Sequence, residues 1–277
     1  MIRKVTIISI LLGTVLFFGC SDYQKLLKSD NYEKKYEKAV ELYNQGDYYR
    51  ALQLFDQVIP VYRGKEEAED LFYYYAYSYY NQEDYVMASY YFKKFANNFP
   101  DSERAEEASF MSAYCKYLKS PRPSLDQTKT RQAIEELQAF ANKYPDSDRI
   151  DRVNELIDQL RSKLEKKMYD KAQLYYNMES YEAAVVTYKN LLKEYPDTKY
   201  REEALFKILK ARYIYARNSI PSKKMDRYQD AIEAYDRLMT YYPDSEYKSQ
   251  AKEMYQEATS FLAHQNWENI IFAKKFD

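Results

Sequence analysis

The side chains able to do chemistry are few. A single histidine, His264, stands near the end of the 277-residue chain. No histidine pair is therefore present to hold a metal, and no imidazole base accompanies a nucleophile. Neither a glycine-rich phosphate loop nor a paired-cysteine motif occurs. Adjacent acids are found at Glu66-Glu67, Glu106-Glu107 and Glu202-Glu203. Two carboxylates held together can divide acid and base roles, but these pairs fall where helices begin, and acids there are favoured by the helix dipole while staying solvated. The inventory argues against an enzyme and implies no cofactor and no metal. Of the two cysteines, Cys115 lies in the helical stretch Phe110-Met111-Ser112-Ala113-Tyr114-Cys115-Lys116-Tyr117, where a free thiol is a small apolar group.

The other cysteine, Cys20, has a different setting. Arg3 and Lys4 precede an apolar run over 5–18, too short to cross a bilayer core of about 30 Å but long enough for a signal-peptide core. The run ends Leu16-Phe17-Phe18-Gly19-Cys20-Ser21, which resembles a bacterial lipobox, with Phe17 where that motif usually has Leu. The resemblance implies cleavage after a leader 1–19, covalent diacylglycerol and N-acyl lipid on Cys20, and, with Ser21 rather than Asp following, sorting to the outer membrane. If Cys20 carries lipid, Cys115 has no partner within the chain and a disulfide framework is excluded.

The elements that carry these residues read as helices. Four Gly and eight Pro punctuate 277 residues, too few for the tight turns of sheets. Lys+Arg 42 against Asp+Glu 43 leaves no surplus field to draw the chain to nucleic acid. Four times an aromatic is followed by Pro, Asp and Ser or Thr: Phe99-Pro100-Asp101-Ser102, Tyr144-Pro145-Asp146-Ser147, Tyr195-Pro196-Asp197-Thr198 and Tyr242-Pro243-Asp244-Ser245, at spacings of 45, 51 and 47. Proline stops one helix, and the polar side chains that follow can accept from the free N–H groups of the next.

Each interval holds a helix pair of tetratricopeptide pattern. The second unit supplies Phe72, Tyr75, Ala76 and Tyr79, then Ala88, Phe92 and Phe95. The first supplies Ala39, Leu42, Ala51, Phe55 and Val58, the third Ala133, Leu137 and Phe140, the fourth Met168, Ala172, Tyr175, Ala184, Tyr188 and Leu191, and the fifth Ala231, Tyr235 and Leu238. The fold expected is all-α, a right-handed solenoid of about five such hairpins with a C-terminal capping helix. Its divisions are a signal peptide 1–19, a lipidated linker 20–31, units one to three over 32–145, units four and five with the cap over 146–264, and an apolar tail 265–277 carrying Trp267, Ile270, Ile271, Phe272 and Phe276. Loops are expected around Ser120-Pro121-Arg122-Pro123 and Ser219-Ile220-Pro221, a single long helix over 148–177, and a last helix from 245 to about 263. The tail either docks on the cap or faces a partner.

Tyrosine is the compositional outlier, with 34 residues against one Trp. If Phe72, Tyr75, Ala76 and Tyr79 point inward, Tyr73, Tyr77 and Tyr80 are turned about 100° away. Aligned positions repeat this ladder: Tyr36, Tyr43 and Asn44 in the first unit, Tyr73, Tyr80 and Asn81 in the second, Tyr169, Tyr176 and Asn177 in the fourth. Tyrosine offers flat area at little entropic cost, and asparagine can satisfy both groups of a bound backbone, so the ladder suits an extended peptide in the concave groove. Packing between repeats is the competing use of the same rings.

The stretch Tyr169-Asp170-Lys171-Ala172-Gln173-Leu174-Tyr175-Tyr176, with Tyr181-Glu182-Ala183-Ala184-Val185-Val186 and Leu192-Lys193-Glu194-Tyr195-Pro196-Asp197-Thr198, resembles the fourth repeat of the BamD family, the lipoproteins of the β-barrel assembly machinery. Lipobox, repeat number and mature length extend the resemblance over nearly the whole chain. It implies a non-enzymatic scaffold, lipid-anchored on the periplasmic side of the outer membrane. Such a scaffold binds the barrel-forming, BamA-like insertase through its C-terminal repeats and helps receive unfolded outer-membrane proteins. The groove with Tyr36, Tyr43, Tyr73, Tyr77 and Tyr80 is then the substrate end. Other tetratricopeptide lipoproteins that scaffold envelope enzymes, and glycan-capture lipoproteins, are the alternatives.

Overall fold

A computed structural model describes residues 22–65 and 67–273, with side chains as far as Gln265. The leader 1–19, Cys20 and Glu66 lie outside the described residues, as do the side chains of Trp267, Ile270, Ile271, Phe272 and Phe276. Among the described residues there are helices and no strands. They are α1 (22–28), α2 (Tyr32–Asn44), α3 (Tyr48–Tyr62), α4 (Ala68–Asn81), α5 (Tyr85–Asn98), α6 (Ala105–Leu118), α7 (Thr128–Lys143), α8 (Ile150–Asn177), α9 (Tyr181–Glu194), α10 (Arg201–Arg217), α11 (Pro221–Tyr241) and α12 (Lys248–Ala273). Contacts divide the chain into two units. One comprises residues up to Leu160 apart from 122–125, and the other Arg122–Leu125 with everything from Arg161 onward. The division thus falls within α8, not at the 145/146 junction expected from the repeat punctuation.

In the N-terminal unit each helix packs on the next, from α2 to α7. Ala39, Leu42, Ala51, Phe55 and Val58 are buried in one cluster, Phe72, Ala76, Ala88, Phe92 and Phe95 in the next, and Ala133, Leu137 and Phe140 against Val153, Leu156 and Leu160 of α8 in a third. The alternation of alanine with large rings lets backbones approach while rings fill the gaps. In the C-terminal unit, Ala172, Ala184, Tyr188 and Leu191 are buried with Ala204 and Ile208. Ala251, Met254 and Ala258 of α12 close over Leu205, Leu209, Ala231 and Leu238, as a capping helix must.

The punctuation works as its residues require. At Phe99, Tyr144, Tyr195 and Tyr242 the helix ends, each N–H still bonding four residues back at 2.9, 2.9, 2.8 and 2.8 Å. The Ser or Thr three positions on then turns the chain, its hydroxyl accepting from the N–H two residues ahead at 3.0, 3.1, 3.3 and 3.1 Å. Within hairpins, Asp47 and Asp84 cap the second helix through Arg50 N and Met87 N, both at 3.1 Å. The residue before each takes a positive φ, +79° at Gly46 and +60° at Glu83, with Glu179 at +59° in the fourth unit. Only the first has the residue that conformation favours.

Two lengths differ from the sequence reading. The long helix is one element of 28 residues as expected. In the fifth unit the extra length is helix rather than loop: only Asn218, Ser219 and Ile220 separate α10 from α11, which begins at Pro221, where the missing N–H costs nothing. The last helix runs to Ala273, through much of the segment read as a tail. No helix among the described residues is long and apolar enough to cross a membrane.

Candidate functional site

The tyrosine ladder is half-buried throughout, and its members divide by what their hydroxyls do. Tyr73 lies with its ring 4.7 Å from that of Tyr77 and 5.8 Å from Phe95. Tyr77 meets Phe92 at 4.8 Å. Both hydroxyls donate to one carboxylate, Glu107 in the first turn of α6, Tyr73 at 3.3 Å to either oxygen. Burial first, then the Glu107 bond, hold the Tyr77 phenol well above its ordinary pKa. Tyr169 has the same arrangement in the C-terminal unit. It stacks on Tyr200 at 4.3 Å, and burial together with a hydrogen bond to Glu203 raises its pKa.

The other members keep their hydroxyls free of such partners. Tyr36 stacks on Tyr62 at 5.4 Å. Tyr43 meets Tyr74 at 4.9 Å, and burial pushes its phenol up to about 12. Tyr80 lies 5.7 Å from Tyr85, and Tyr176 lies 5.7 Å from Tyr181 with the Lys207 ammonium 5.1 Å from its ring centroid. No hydrogen bond within the described residues engages these four hydroxyls, yet no buried side-chain oxygen or nitrogen lacks a partner. Their oxygens therefore reach water. Asn44, Asn81 and Asn177 are exposed. Asn177 accepts from Gln173 at 2.8 Å, whereas Asn44 and Asn81 make no side-chain hydrogen bond among the described residues. In α2 and α4 the ladder thus presents ring edges, open hydroxyls and free amides side by side.

Sequence reasoning missed the acids. Glu106, Glu107, Glu202 and Glu203 do stand in first turns, but they are engaged rather than merely solvated. Glu69 takes the Ser102 hydroxyl at 2.6 Å and Glu106 that of Ser147 at 2.6 Å, with Arg149 at 3.1 Å. Glu202 accepts Glu246 N–H at 3.1 Å. Each carboxylate reaches from the first turn of one helix to the turn preceding the first helix of the next hairpin. Beside each stands a second acid facing back to a ladder tyrosine: Glu107 to Tyr73, Glu203 to Tyr169, and Asp70, whose charge adds to burial in raising the pKa of Tyr36. All three pairs are 34 residues apart, the length of one repeat, and that recurrence was the available signal. Cys115 is fully buried and its thiol is pushed up to about 12 by burial, an inert core group.

Stacked helical hairpins that carry half-exposed rings and exposed amides on α2, α4 and α8 define a scaffold of the helical-repeat class. The family model described as YfiO, outer membrane lipoprotein, matches residues 28–225, and a tetratricopeptide repeat model matches 222–245. The chain belongs to the YfiO family of outer membrane lipoproteins. A search of curated proteins found no match. Among solved structures, a TPR repeats protein from Bacteroides fragilis is similar at 13% identity and TM-score 0.37, covering 84% of this chain and 100% of its own. The P58(IPK) TPR domain is similar at 14% and 0.40, covering 87% and 68%. The TPR2AB domain of yeast Sti1, solved with pHSP90, is similar at 13% and 0.38, covering 82% and 98%.

Proposed function

We propose that this lipoprotein is the tetratricopeptide scaffold of a β-barrel assembly machine. It is anchored by lipid on Cys20 at the periplasmic face of the outer membrane and works by binding rather than catalysis. The repeats of the C-terminal unit engage the barrel-forming insertase. The N-terminal unit holds extended segments of unfolded outer-membrane proteins along Tyr36, Tyr43, Tyr73, Tyr77 and Tyr80. The observation that carries the second role is the pairing of water-facing hydroxyls on Tyr36, Tyr43 and Tyr80 with the free, exposed amides of Asn44 and Asn81. An extended chain has one unpaired donor and one acceptor per residue, and such a row can satisfy them while the rings cover its side chains. Family membership supports the envelope setting.

The asparagines give a clean test because neither packs in the core. The pair N44A/N81A is expected to weaken capture of an extended peptide from an unfolded outer-membrane protein by about tenfold or more, the loss of two or more hydrogen bonds, with the melting temperature unchanged. Equal affinity in the variant would remove this face from substrate binding. For the first role, affinity purification from detergent-solubilised envelopes is expected to recover a barrel-forming insertase. Recovery of glycan transporters without one would overturn that assignment.

A further inference from the structure

The outer face of the N-terminal unit carries a charge pattern that the peptide-binding role leaves unused. Three clefts lie beside α5, one between it and the turn that follows α3 with α4 as floor, and two between α5 and α7 with α6 as floor. Between the turn that follows α3 and α5, Arg63 and Lys94 flank a cleft of about 430 Å³ floored by Ala68 and Phe72. Between α5 and α7, one end holds Lys93, Lys143 and Glu136. The other end, about 190 Å³, holds Lys116, Lys119 and Lys129 beside Tyr85 and Val86. Seven cations and one acid thus line these clefts, while Asp56 and Glu135 are the further exposed acids of α3, α5 and α7, in a chain of 42 basic and 43 acidic residues.

Within the clefts Glu136 does not offset the cations. Glu136 is shared by Lys93 at 2.9 Å and Lys116 at 2.6 Å, while Arg63, Lys119 and Lys129 make no ion pair among the described residues. α5 contains no acidic residue at all. Apolar groups stand exposed among the cations, Val86 at 58% and Tyr90 at 56% on α5, Tyr49 at 66% and Val61 at 38% on α3. Scattered surface apolars need no explanation, and a lysine-rich face is ordinarily just solvated. Cations interleaved with exposed rings and aliphatics match the interfacial region of an anionic bilayer.

A lipid on Cys20 would set which side the bilayer is on. Cys20 stands two residues ahead of α1, a reach of about 7 Å. α1 is clamped to α3 through Tyr23, whose hydroxyl donates to Arg50 O at 3.0 Å and to Gln53 Oε1 at 2.8 Å, and whose ring faces the Arg50 guanidinium at 5.5 Å. With a lipid on Cys20, α3 lies close to the headgroups, and α5 and α7 are the second helices of the next two hairpins in the same unit.

We propose that the α3–α5–α7 face of the N-terminal unit rests on the anionic phospholipid headgroups of the bilayer that holds the anchor, its lysines meeting lipid phosphates and Val86 and Tyr90 entering the headgroup layer. This rests on the lipid-anchor reading of Cys20. It leaves the opposite, first-helix side with Asn44 and Asn81 turned toward the periplasm.

The test is made on the full lipidated chain reconstituted in vesicles, with an environment-sensitive fluorophore on Tyr90→Cys; buried Cys115 is not labelled. In phosphatidylglycerol-containing vesicles the label is expected to shift to the blue and to be quenched by spin-labelled lipid. Both effects are expected to vanish in phosphatidylcholine, at high salt, and in K119E/K129E, whose helicity and melting should match the parent. A label equally water-like in both vesicles, or quenching that survives the charge reversal, overturns the proposal. Protection of the label only in whole envelopes also overturns it, in favour of an acidic protein partner. Flotation reports the anchor separately. Chains that float with both vesicle types while the label stays unquenched leave the anchor standing and remove this face from the bilayer. Chains that float with neither remove the anchor reading, and this proposal with it.

Discussion

Phe92→Ala is expected to lower the stability of the N-terminal unit by about 3–5 kcal/mol, the range for deleting a fully buried ring whose surroundings relax only partly. Phe92 has no exposed surface and lies among Phe72, Ala76, Ala88 and Phe95, with the Tyr77 ring at 4.8 Å. The buried residues of the cluster come from α4, α5 and α6, with Ile59 of α3 packed against them, so neighbouring side chains cannot readily collapse into the gap without moving helices. Repeat arrays are stabilised by nearest-neighbour interfaces, and the cluster of Leu205, Leu209 and Leu238 shares no residue with that of Phe92. Denaturant unfolding followed by fluorescence is therefore expected to split into an early transition for the N-terminal unit and an unchanged one for the C-terminal unit. The exposed neighbour variant Val86→Ala is expected to stay within about 0.5 kcal/mol of the parent. A single transition in Phe92→Ala at the parental midpoint would mean that α5 does not carry this core.

What was legible in the sequence is what depends on local pattern. Ala76, Ala88, Phe92 and Phe95 announce themselves by helical spacing, and Pro100, Pro145, Pro196 and Pro243 announce where helices must stop. Length assignments failed where nothing local decides between helix and loop. Pro221 reads as a breaker in isolation, yet it starts α11 at the one position where its ring is welcome. The tyrosine ladder was visible as a pattern but not as a partition. A ring on the shoulder of a helix is both apolar and polar, so periodicity cannot say whether its hydroxyl faces water or a neighbour. The partner that decides, Glu107 for Tyr73 and Tyr77 and Glu203 for Tyr169, comes from the next hairpin. Acids in a first turn are expected for the dipole alone, which concealed their second use.

Glu107→Ala puts that partition to a quantitative test. The substitution leaves the hydroxyls of Tyr73 and Tyr77 without their carboxylate in a half-buried setting, for an expected loss of about 1–3 kcal/mol, toward the lower end because water can reach part of the site. Tyr77→Phe keeps the ring against Phe92 and removes only the donor, so in the Glu107→Ala background it should add almost nothing. Full additivity in this double-mutant cycle would mean that no bond joins the two. The pH dependence has a definite sign. Burial, and then Glu107, raise the folded-state pKa of Tyr77 above that of the unfolded chain, so the associated stability is fully present below about pH 10 and is lost as the pH rises above it. Without Glu107 the folded phenol titrates closer to its ordinary value, and the deficit of the variant measured at neutral pH should narrow under alkaline conditions. Peptide capture separates the two uses of the ladder. Tyr73 and Tyr77 spend their hydroxyls on holding α4 to α6, whereas Tyr36, Tyr43 and Tyr80 do not. Glu107→Ala should therefore lower the melting temperature while leaving the affinity for an extended peptide, measured well below that temperature, close to the parental value. A variant that melts normally but no longer captures peptide would instead place Glu107 itself on the binding face.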